Sequence, residues 1–485
     1  MRQREYAPIP PGGSVSPEKR PPAAKPFDPI AEHTVLHRHL ALSLSLSPDP
    51  QTRTARELFD DEIFMRLLAA NQLAAETQIS MLMMTPDDQL VANAAQFYTL
   101  AGTPLAKAQE EQRLIRHPYR TNLTTTSFIR DHALLANVNG EKSLVIPQTN
   151  PPHFKTLVSL YGRVARETGL DLYRAQTYFE GGNFRTGGQA VFTLSDSLRN
   201  IRSITSPDKS LATVEKILQR RVGKGGKELV VLDRNFQREK RQRVYHLDLL
   251  ATIVTTPDGI EKVIVASLAE ARKTLQAAFG ENFLSVSADQ WQEANQTDWE
   301  KGSKARMEKH LAAFLGQGSL NFKTTNAIKR TTARIYDLPA QAREIFRRSL
   351  SAYFEPDYDF IQPYIDNLIG ALHQAGYSES QIVIVPGLFA KTPSPNSIMA
   401  QLQWNGGQPV SLPTSPAYSP ACGFQYNHSP DHSYFLTGGG LRVLDQAAAE
   451  KIKDQTSLEV ISLTHVLGLG TGQAGFDCIG LPIPA

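Results

Sequence analysis

The sequence predicts an α/β protein whose core consists of buried parallel or mixed β-strands. Short apolar runs rich in β-branched residues are bounded by turn signals. Most of these runs are apolar throughout rather than alternating, which indicates strands covered on both faces. They also alternate with amphipathic helical segments along much of the chain. That order of strands and helices is typical of α/β architecture.

Composition excludes several classes of protein. The chain has 485 residues and 41% hydrophobic content, enough for one large domain or two to three ordinary ones. Its 51 basic and 48 acidic residues give a net charge of +3, which favours neither a nucleic-acid partner nor a membrane partner. We expect no transmembrane segment and no secretory signal peptide, because no apolar run is long enough.

The two cysteines, Cys422 and Cys478, are too few for a disulfide framework. They fit a reducing compartment, so we expect a cytoplasmic protein. Export as a secreted effector by a specialised machine stays open, because such signals escape these tests.

Three regions are predicted along the chain. Residues 1–28 are rich in Pro, Lys and small polar residues, so we expect a disordered arm. Residues 29–77 are predicted to form a helical N-terminal extension, because apolar residues around Leu58 to Leu68 recur mostly at spacings of three and four. Residues 78–485 are predicted to form the main domain, with a charged helical insertion at about 266–376 and a loop at about 411–440.

The main domain contains the predicted core elements. Helices are expected at about 90–113, 152–168 and 208–219. Strands are expected at Ile79–Met84, Ser127–Ala136, Ser143–Pro147, Leu170–Tyr173, Ala190–Leu194, Glu228–Leu232, Tyr245–Val254, Gln381–Pro386 and Val460–Leu463.

The predicted strand Tyr245–Val254 is interrupted by His246 and Asp248. Residues two apart in a strand share a face, so both side chains are expected to point the same way. A base and a carboxylate buried together cost stability unless they are paired or used. This stretch alone favours a structural His–Asp pair over a functional one.

Three other polar residues stand at strand ends or beside glycines: Asp131, Glu180 and Cys478. Each has an ordinary structural explanation when it is considered alone. Arg130–Asp131 suits a surface ion pair, Glu180 suits a glycine turn, and Cys478 suits a small buried side chain.

Considered together, these residues match one kind of chemistry. A thiolate nucleophile needs a partner such as a protonated His, and that His needs an orienting carboxylate. A guanidinium is a planar cation whose N–H groups suit carboxylates. Three carboxylates, a His and a Cys are therefore what an enzyme acting on a guanidino group requires.

The order of these motifs resembles the guanidino-group-modifying enzymes, which include arginine, agmatine and peptidyl-arginine deiminases and amidinotransferases. It is carried by Arg130-Asp131, Glu180-Gly181-Gly182-Asn183, His246-Leu247-Asp248 and a Gly-rich run into Cys478. The resemblance covers roughly 78–265 and 378–485. It implies a pentein-type α/β propeller of five repeated units, here with the N-terminal extension and the helical insertion.

The resemblance also implies a role for each residue. Cys478 would be the nucleophile, His246 the general acid and base, and Glu180 the residue that holds His246. Asp131 and Asp248 would bind the guanidinium. The implied activity is a deiminase that acts on arginine, an arginine derivative or peptidyl-arginine through an amidino-thioether, without a metal or organic cofactor.

Two other functions stay open at this point. An amidinotransferase would use the same Cys478, and a non-catalytic binding protein would keep only the fold. The residue before the nucleophile motivates the second alternative, because many relatives have His there and this chain has Asp477. A carboxylate close to the thiol would raise the pKa of the thiol unless it points away.

Overall fold

The computed structural model describes most of the predicted core. The described residues are 27–43, 66–86, 99, 103–119, 130–148, 151–222, 226–234, 236, 247–296, 309, 340, 343–344, 346–354, 361–390, 415–463 and 480–485. Residues 1–26 of the predicted arm, and the predicted site residues His246 and Cys478, lie outside them.

Strands are found throughout the described residues. They are β1 (Asp28–Pro29), β2 (His37–Ser43), β3 (Met81–Pro86), β4 (Leu114–Tyr119), β5 (Leu134–Val138), β6 (Glu141–Ile146), β7 (Asp171–Arg174), β8 (Arg185–Thr186), β9 (Ala190–Thr193), β10 (Glu228–Val231), β11 (Ala251–Thr255), β12 (Glu261–Ser267), β13 (Ile382–Pro386), β14 (Leu388–Ala390), β15 (Ser415–Tyr418), β16 (Gly423–Ser429), β17 (His432–Gly438), β18 (Glu459–Leu463) and β19 (Gly480–Pro484).

Helices connect these strands. In the described residues they are α1 (66–76), α2 (Pro104–Glu110), α3 (Pro151–Thr168), α4 (Ser195–Thr205), α5 (Leu211–Val222), α6 (Leu268–Phe279), α7 (Ala288–Asn295), α8 (Leu350–Tyr353), α9 (Ile361–Gln374) and α10 (Arg442–Thr456). None of them combines the length and the hydropathy needed to cross a bilayer.

One strand pattern occurs five times in the described part of the chain. A first strand pairs antiparallel with a central strand, and the chain then crosses over through a helical segment to a last strand parallel to the central one. The first, central and last strands are β19-β2-β3, β5-β6-β7, β8-β9-β10, β11-β12-β13 and β16-β17-β18. We call each set of three strands, together with its helical crossover, a unit, and we name each sheet after its central strand. In the β2 sheet the first strand, β19, comes from the other end of the chain. β4 and β1 extend the β2 and β6 sheets, and β14 pairs separately with β15.

The crossover of the β12 sheet illustrates how the residues specify a unit. Ser267 begins α6 by accepting a hydrogen bond from the backbone N–H of Glu270, and Gly280 ends the helix with φ of 80°. The described residues of the 266–376 stretch lie between β12 and β13 and are largely helical. In that stretch Trp291 is fully buried and donates its indole N–H to the carbonyl of Arg343 at 2.7 Å. This hydrogen bond satisfies the polar end of a large core side chain.

Each sheet packs against others through buried side chains or strand contacts. Leu135 of the β6 sheet and Leu481 of the β2 sheet share one apolar cluster, and Val145 and Val191 join the β6 and β9 sheets. The first strands β8 and β11 contact each other, as do β11 and β16, and β16 contacts β2. The β12 and β17 units also meet outside the first strands, where α10 packs against β13 and α6.

The N-terminal segment 27–36 lies among these units. β1 pairs antiparallel with β5, and the 3-10 turn Glu32–Thr34, here the Glu32 turn, packs against β11 and β16. The side-chain amide of Asn427 donates to the carbonyls of His33 and Val35 at 2.8 and 2.9 Å. Backbone and side-chain hydrogen bonds thus fix this segment to the β6 and β17 sheets.

The helix expected across 29–77 is wrong at residues 37–43, which form β2. This strand pairs with β3 and with β19, whose residues lie more than 430 positions away in the sequence. The helical periodicity of residues 58–68 does not extend back to residues 37–43. Nothing in the sequence near β2 indicates that it pairs with β19 from the other end of the chain. α1 agrees with the helical pattern.

The loop expected at about 411–440 is wrong as well, because it contains β15, β16 and β17. Its Ser and Pro residues suggested irregular structure. In β16, however, Phe424, Gln425 and Tyr426 are all buried. The amide of Gln425 accepts from the N–H of Thr255 at 2.6 Å and donates to its carbonyl at 3.0 Å, which joins β16 to β11.

A pH dependence follows from His37 at the start of β2. Burial, and next the charge of Arg130, lower the pKa of His37 to about 3, and its Nδ1 accepts from the N–H of Asn427 at 2.9 Å. The unfolded chain binds a proton below about pH 6.5 while the folded chain does not. The stability that comes from the neutral ring is therefore present above about pH 6.5 and is lost as the pH falls towards 3.

We predict that the His37→Asn variant, which keeps an acceptor, depends less on pH between 6.5 and 4. In urea denaturation, the free energy of unfolding of the wild type should fall relative to that of the variant by about 1.4 kcal/mol for each unit by which the pH drops below 6.5. The exposed His432 provides the control, since its side chain is 51% exposed and His432→Asn should leave the slope unchanged. Parallel pH profiles for wild type and His37→Asn would contradict the assignment.

Candidate active site

Three short 3-10 turns precede first strands by a single residue. They are the Arg130 turn (Arg130–His132) before β5, the Gly181 turn (Gly181–Asn183) before β8 and the Leu247 turn (Leu247–Leu249) before β11. Each leads into the first strand of its own unit. The three turns therefore occupy equivalent positions in the β6, β9 and β12 sheets.

Two predicted strands begin later than the sequence suggested. β5 starts at Leu134 rather than at Ser127, and β11 starts at Ala251 rather than at Tyr245. The expected shared strand face of His246 and Asp248 is thus wrong, because Asp248 lies in a turn. The turn closes through the N–H of Leu250, which donates to the carbonyl of Leu247 at 2.9 Å. Its leucines are buried like strand residues, so their apolar pattern resembled a strand.

The predicted site residues share two positions relative to these turns. Asp131 and Asp248 are each the middle residue of a turn, and Glu180 stands directly before the Gly181 turn. In the sequence His246 directly precedes the Leu247 turn, and Cys478 precedes Gly480, the first residue of β19, by two residues. All five residues thus come just before the first strand of a unit.

The three turns pack in a row. The Arg130 turn contacts the Gly181 turn, which also contacts the Leu247 turn. A β-carbon on Gly181 would overlap the carbonyl oxygens of Arg130 and Ala133. The glycine is required here by this close approach of two backbones rather than by a positive φ.

Glu180 is held by its own loop. The hydroxyl of Tyr178 donates to one carboxylate oxygen, and the side-chain amide of Asn183 donates to the other at 2.8 Å. Asn183 is only 1% exposed, so its amide is a fixed partner. A carboxylate oxygen has two lone pairs, so Glu180 retains capacity to accept a further N–H, for example from an imidazole.

Asp248 is completely buried, at 0% exposure. A carboxylate in such a place is stable in its charged form only when a cation or hydrogen-bond donors face it. Ser419, in the loop between β15 and β16, fixes the turn that carries Asp248, because its hydroxyl donates to the carbonyl of Leu249 at 2.7 Å. The backbone of Asp131 lies in the Arg130 turn, but its side chain lies outside the description.

A cavity of about 30 Å³ lies beside the Arg130 turn, and none of the predicted site residues that the structure describes lines it. Residues from β5, β8, β11 and β16 line it, so four first strands meet around it. The lining residues are Ile30, Glu32, His33, Arg130, Leu134, Leu135, Phe184, Arg185, Thr186, Thr252, Ile253, Phe424 and Gln425. This volume holds about two water molecules, and the polar groups suit such occupants.

His33 and Glu261 anchor the Glu32 turn on the side of the β11–β12 hairpin. The Nε2–H of His33 donates to Glu261 at 3.1 Å, and the hydroxyl of Tyr377 and the N–H of Gly188 also donate to this carboxylate. Burial raises the pKa of Glu261, but the hydrogen bonds from His33 and Tyr377 outweigh it and hold the pKa below its usual range. The carboxylate therefore stays charged and links the β9 and β12 sheets to the N-terminal segment.

The packing of the turns leads to a prediction for Gly181. The Gly181→Ala variant should force the Arg130 and Gly181 turns apart, because the new methyl group meets rigid carbonyls rather than flexible side chains. We expect a loss of about 1–3 kcal/mol in thermal or urea unfolding.

Gly370 is the matched control, since a β-carbon there would meet nothing within 4 Å and the residue lies in α9. The Gly370→Ala variant should be as stable as the wild type or slightly more stable. Equal stability of the Gly181→Ala and Gly370→Ala variants would show that the turns do not make this close contact.

Comparisons with known proteins agree on the fold. No protein-family model matches the chain, and no curated protein matches its sequence. Among solved structures, the agmatine deiminase of C. jejuni superposes with a TM-score of 0.52 at 12% identity, over 95% of this chain and 96% of that one.

Two further structures match at 12% identity and over 95% of this chain, both with a TM-score of 0.51. One is a candidate peptidyl-arginine deiminase, covered over 99% of its length, and the other is a candidate agmatine deiminase, covered over 98%. The predicted resemblance is confirmed at the level of the fold: the chain has the mixed α/β fold of the pentein deiminases.

Proposed function

We propose that this protein is a deiminase that hydrolyses a guanidino group of arginine, an arginine derivative or peptidyl-arginine through Cys478. One observation carries the proposal. The five residues predicted from the sequence all precede first strands of a repeated unit, and the three turns next to Asp131, Glu180 and Asp248 pack in a row. Equivalent loops of a repeated unit are a common way to bring distant residues to one place.

We further propose that the five units are arranged as a propeller around a common axis. The contacts between neighbouring sheets support this arrangement, as does the cavity that residues of four first strands line. In such an arrangement the starts of the first strands lie at one end of the axis. Cys478 would join them, because it precedes the first residue of β19 by two positions, a distance of at most about 7 Å along the chain.

The proposed reaction has two half-reactions. The thiolate of Cys478 attacks the guanidinium carbon, and one C–N bond then breaks as His246 protonates the departing ammonia. His246 next removes a proton from water, which attacks the amidino-thioether carbon. The C–S bond breaks, the ureido product leaves, and the thiolate is regenerated.

The carboxylates divide into two roles in this scheme. Glu180 accepts the second N–H of His246 and holds the ring, as its fixed position between Tyr178 and Asn183 allows. Asp131 and Asp248 come from equivalent positions of two units and bind the N–H groups of the guanidinium. The complete burial of Asp248 strengthens its attraction for this cation, because little water screens the charge.

A free thiol nucleophile works in a reducing environment, so we propose a cytoplasmic location. The reaction balances with water as its only co-reactant, so the proposed mechanism includes no metal or organic cofactor.

Labelling with 2-chloroacetamidine tests the nucleophile. Its amidinium mimics the substrate, so mass spectrometry should find one adduct on Cys478 and none on Cys422, which is only 2% exposed. The Cys478→Ala variant should form no ureido product from arginine, agmatine or arginyl peptides. Ureido product from that variant would rule out the mechanism. Transfer to an added amine would favour the amidinotransferase alternative.

The binding role of Asp248 gives a separate prediction. The Asp248→Asn variant should raise KM for the guanidino substrate by about two orders of magnitude, because losing one partner of a buried charge pair costs roughly 2–5 kcal/mol. Asp258→Asn, in the exposed turn at the other end of β11, serves as the control and should retain wild-type kinetics. An unchanged KM in a folded Asp248→Asn protein would remove Asp248 from the site.

A further inference from the structure

A buried ion pair joins the N-terminal segment to the candidate site. The guanidinium of Arg130 lies 2.5 Å from the carboxylate of Glu32, and the two side chains are only 6% and 13% exposed. The two residues are 98 positions apart in the sequence and belong to the Arg130 turn and the Glu32 turn. The pair therefore links a segment outside the repeated units to one of the three turns.

Arg130 lies in the same turn as Asp131, one of the two proposed substrate-binding residues. It directly precedes Asp131, and its carbonyl packs against Gly181, the residue after Glu180. Its side chain also lines the cavity beside the Arg130 turn.

The positive charge of Arg130 opposes the proposed substrate, which is itself a cation. A second guanidinium, that of Arg185, lines the same cavity and is 5% exposed. Of the described residues that line this cavity, Glu32 supplies the carboxylate. Without that negative charge, the guanidinium of Arg130 would repel a cationic ligand bound by the neighbouring Asp131, and the low dielectric of the interior would screen the repulsion poorly.

We propose that Glu32 is a specificity-determining residue that neutralises Arg130, so that Asp131 and Asp248 can bind a cationic guanidinium. This inference rests on the proposed deiminase function. It gives the N-terminal segment a function, since this segment places the carboxylate of Glu32 in the lining of the cavity. It also predicts that the effect of Glu32 depends on the charge of the ligand rather than on its shape.

The Glu32→Gln variant tests the proposal, because it removes the charge and keeps the hydrogen-bonding shape. The substrate is whichever of arginine, agmatine or an arginyl peptide the wild type hydrolyses fastest. We expect KM for this cationic substrate to rise about tenfold, the order expected for one uncompensated charge in a protein interior. The inhibition constant of its ureido product should stay within about twofold, because the ureido group is neutral.

Asp28→Asn is the matched control. It breaks another ion pair of the same N-terminal segment, in which Lys227 lies 2.6 Å from Asp28, but neither residue lines the cavity. This variant should keep the wild-type ratio of substrate KM to product inhibition constant. A similar change in both variants would mean that the segment acts only through general stability, and it would overturn the proposal.

A double variant separates charge from structure. Glu32→Gln combined with Arg130→Gln removes both charges and should restore the ratio to near the wild-type value. A purely structural ion pair predicts instead that the double variant binds both ligands worse than the single one, which would overturn the proposal.

The wild-type assay distinguishes a failure of the proposed function from a failure of this inference alone. A wild type that makes no ureido product from any of these guanidines overturns the proposed function and this inference with it. An active wild type whose ratio does not change in Glu32→Gln overturns this inference alone. If Glu32→Gln does not fold, the double variant is compared with the wild type and with Asp28→Asn instead. A tenfold rise in the ratio of substrate KM to product inhibition constant in the double variant would then overturn the proposal.

Discussion

The close approach of two backbones at Gly181 is the constraint on which the candidate site depends. A side chain at that position would overlap the carbonyls of Arg130 and Ala133. The loop of Glu180 and the turn of Asp131 can therefore lie side by side only with glycine between them. Because the Gly181 turn also contacts the Leu247 turn, this contact sets the spacing of the three turns that precede first strands.

In the repeated unit the predicted site residues and the core residues occupy different places. The crossover helices and central strands contribute many buried apolar side chains, whereas the residues proposed for the chemistry precede the first strands. The pairing of β19 with β2 also brings the C-terminal end of the chain to its N-terminal unit. The segment 27–36 lies among the units, where His33 donates a hydrogen bond to Glu261 and Glu32 forms an ion pair with Arg130.

The sequence predicted most core strands, but not the local geometry around the candidate residues. Motif order suggested Asp131, Glu180 and Asp248 as site residues, which stay a prediction, and buried leucines around Asp248 produced the apolar pattern of a strand where the chain forms a turn. β2 was missed because its partner β19 lies at the other end of the chain. The five units share a topology without a visible sequence repeat, since packing constrains burial rather than residue identity. The Glu32–Arg130 pair has no local signal at all.

The central claim is that Cys478, His246 and the three carboxylates meet at one guanidinium. A crystal structure of the Cys478→Ser protein with a guanidino substrate measures this most directly. The account predicts a guanidinium bound by the carboxylates of Asp131 and Asp248, with the substituted hydroxyl oxygen about 3–3.5 Å from its carbon, the distance of a near-attack geometry. A hydroxyl oxygen more than about 15 Å from those carboxylates, beyond the reach of positioned catalytic groups, would contradict it.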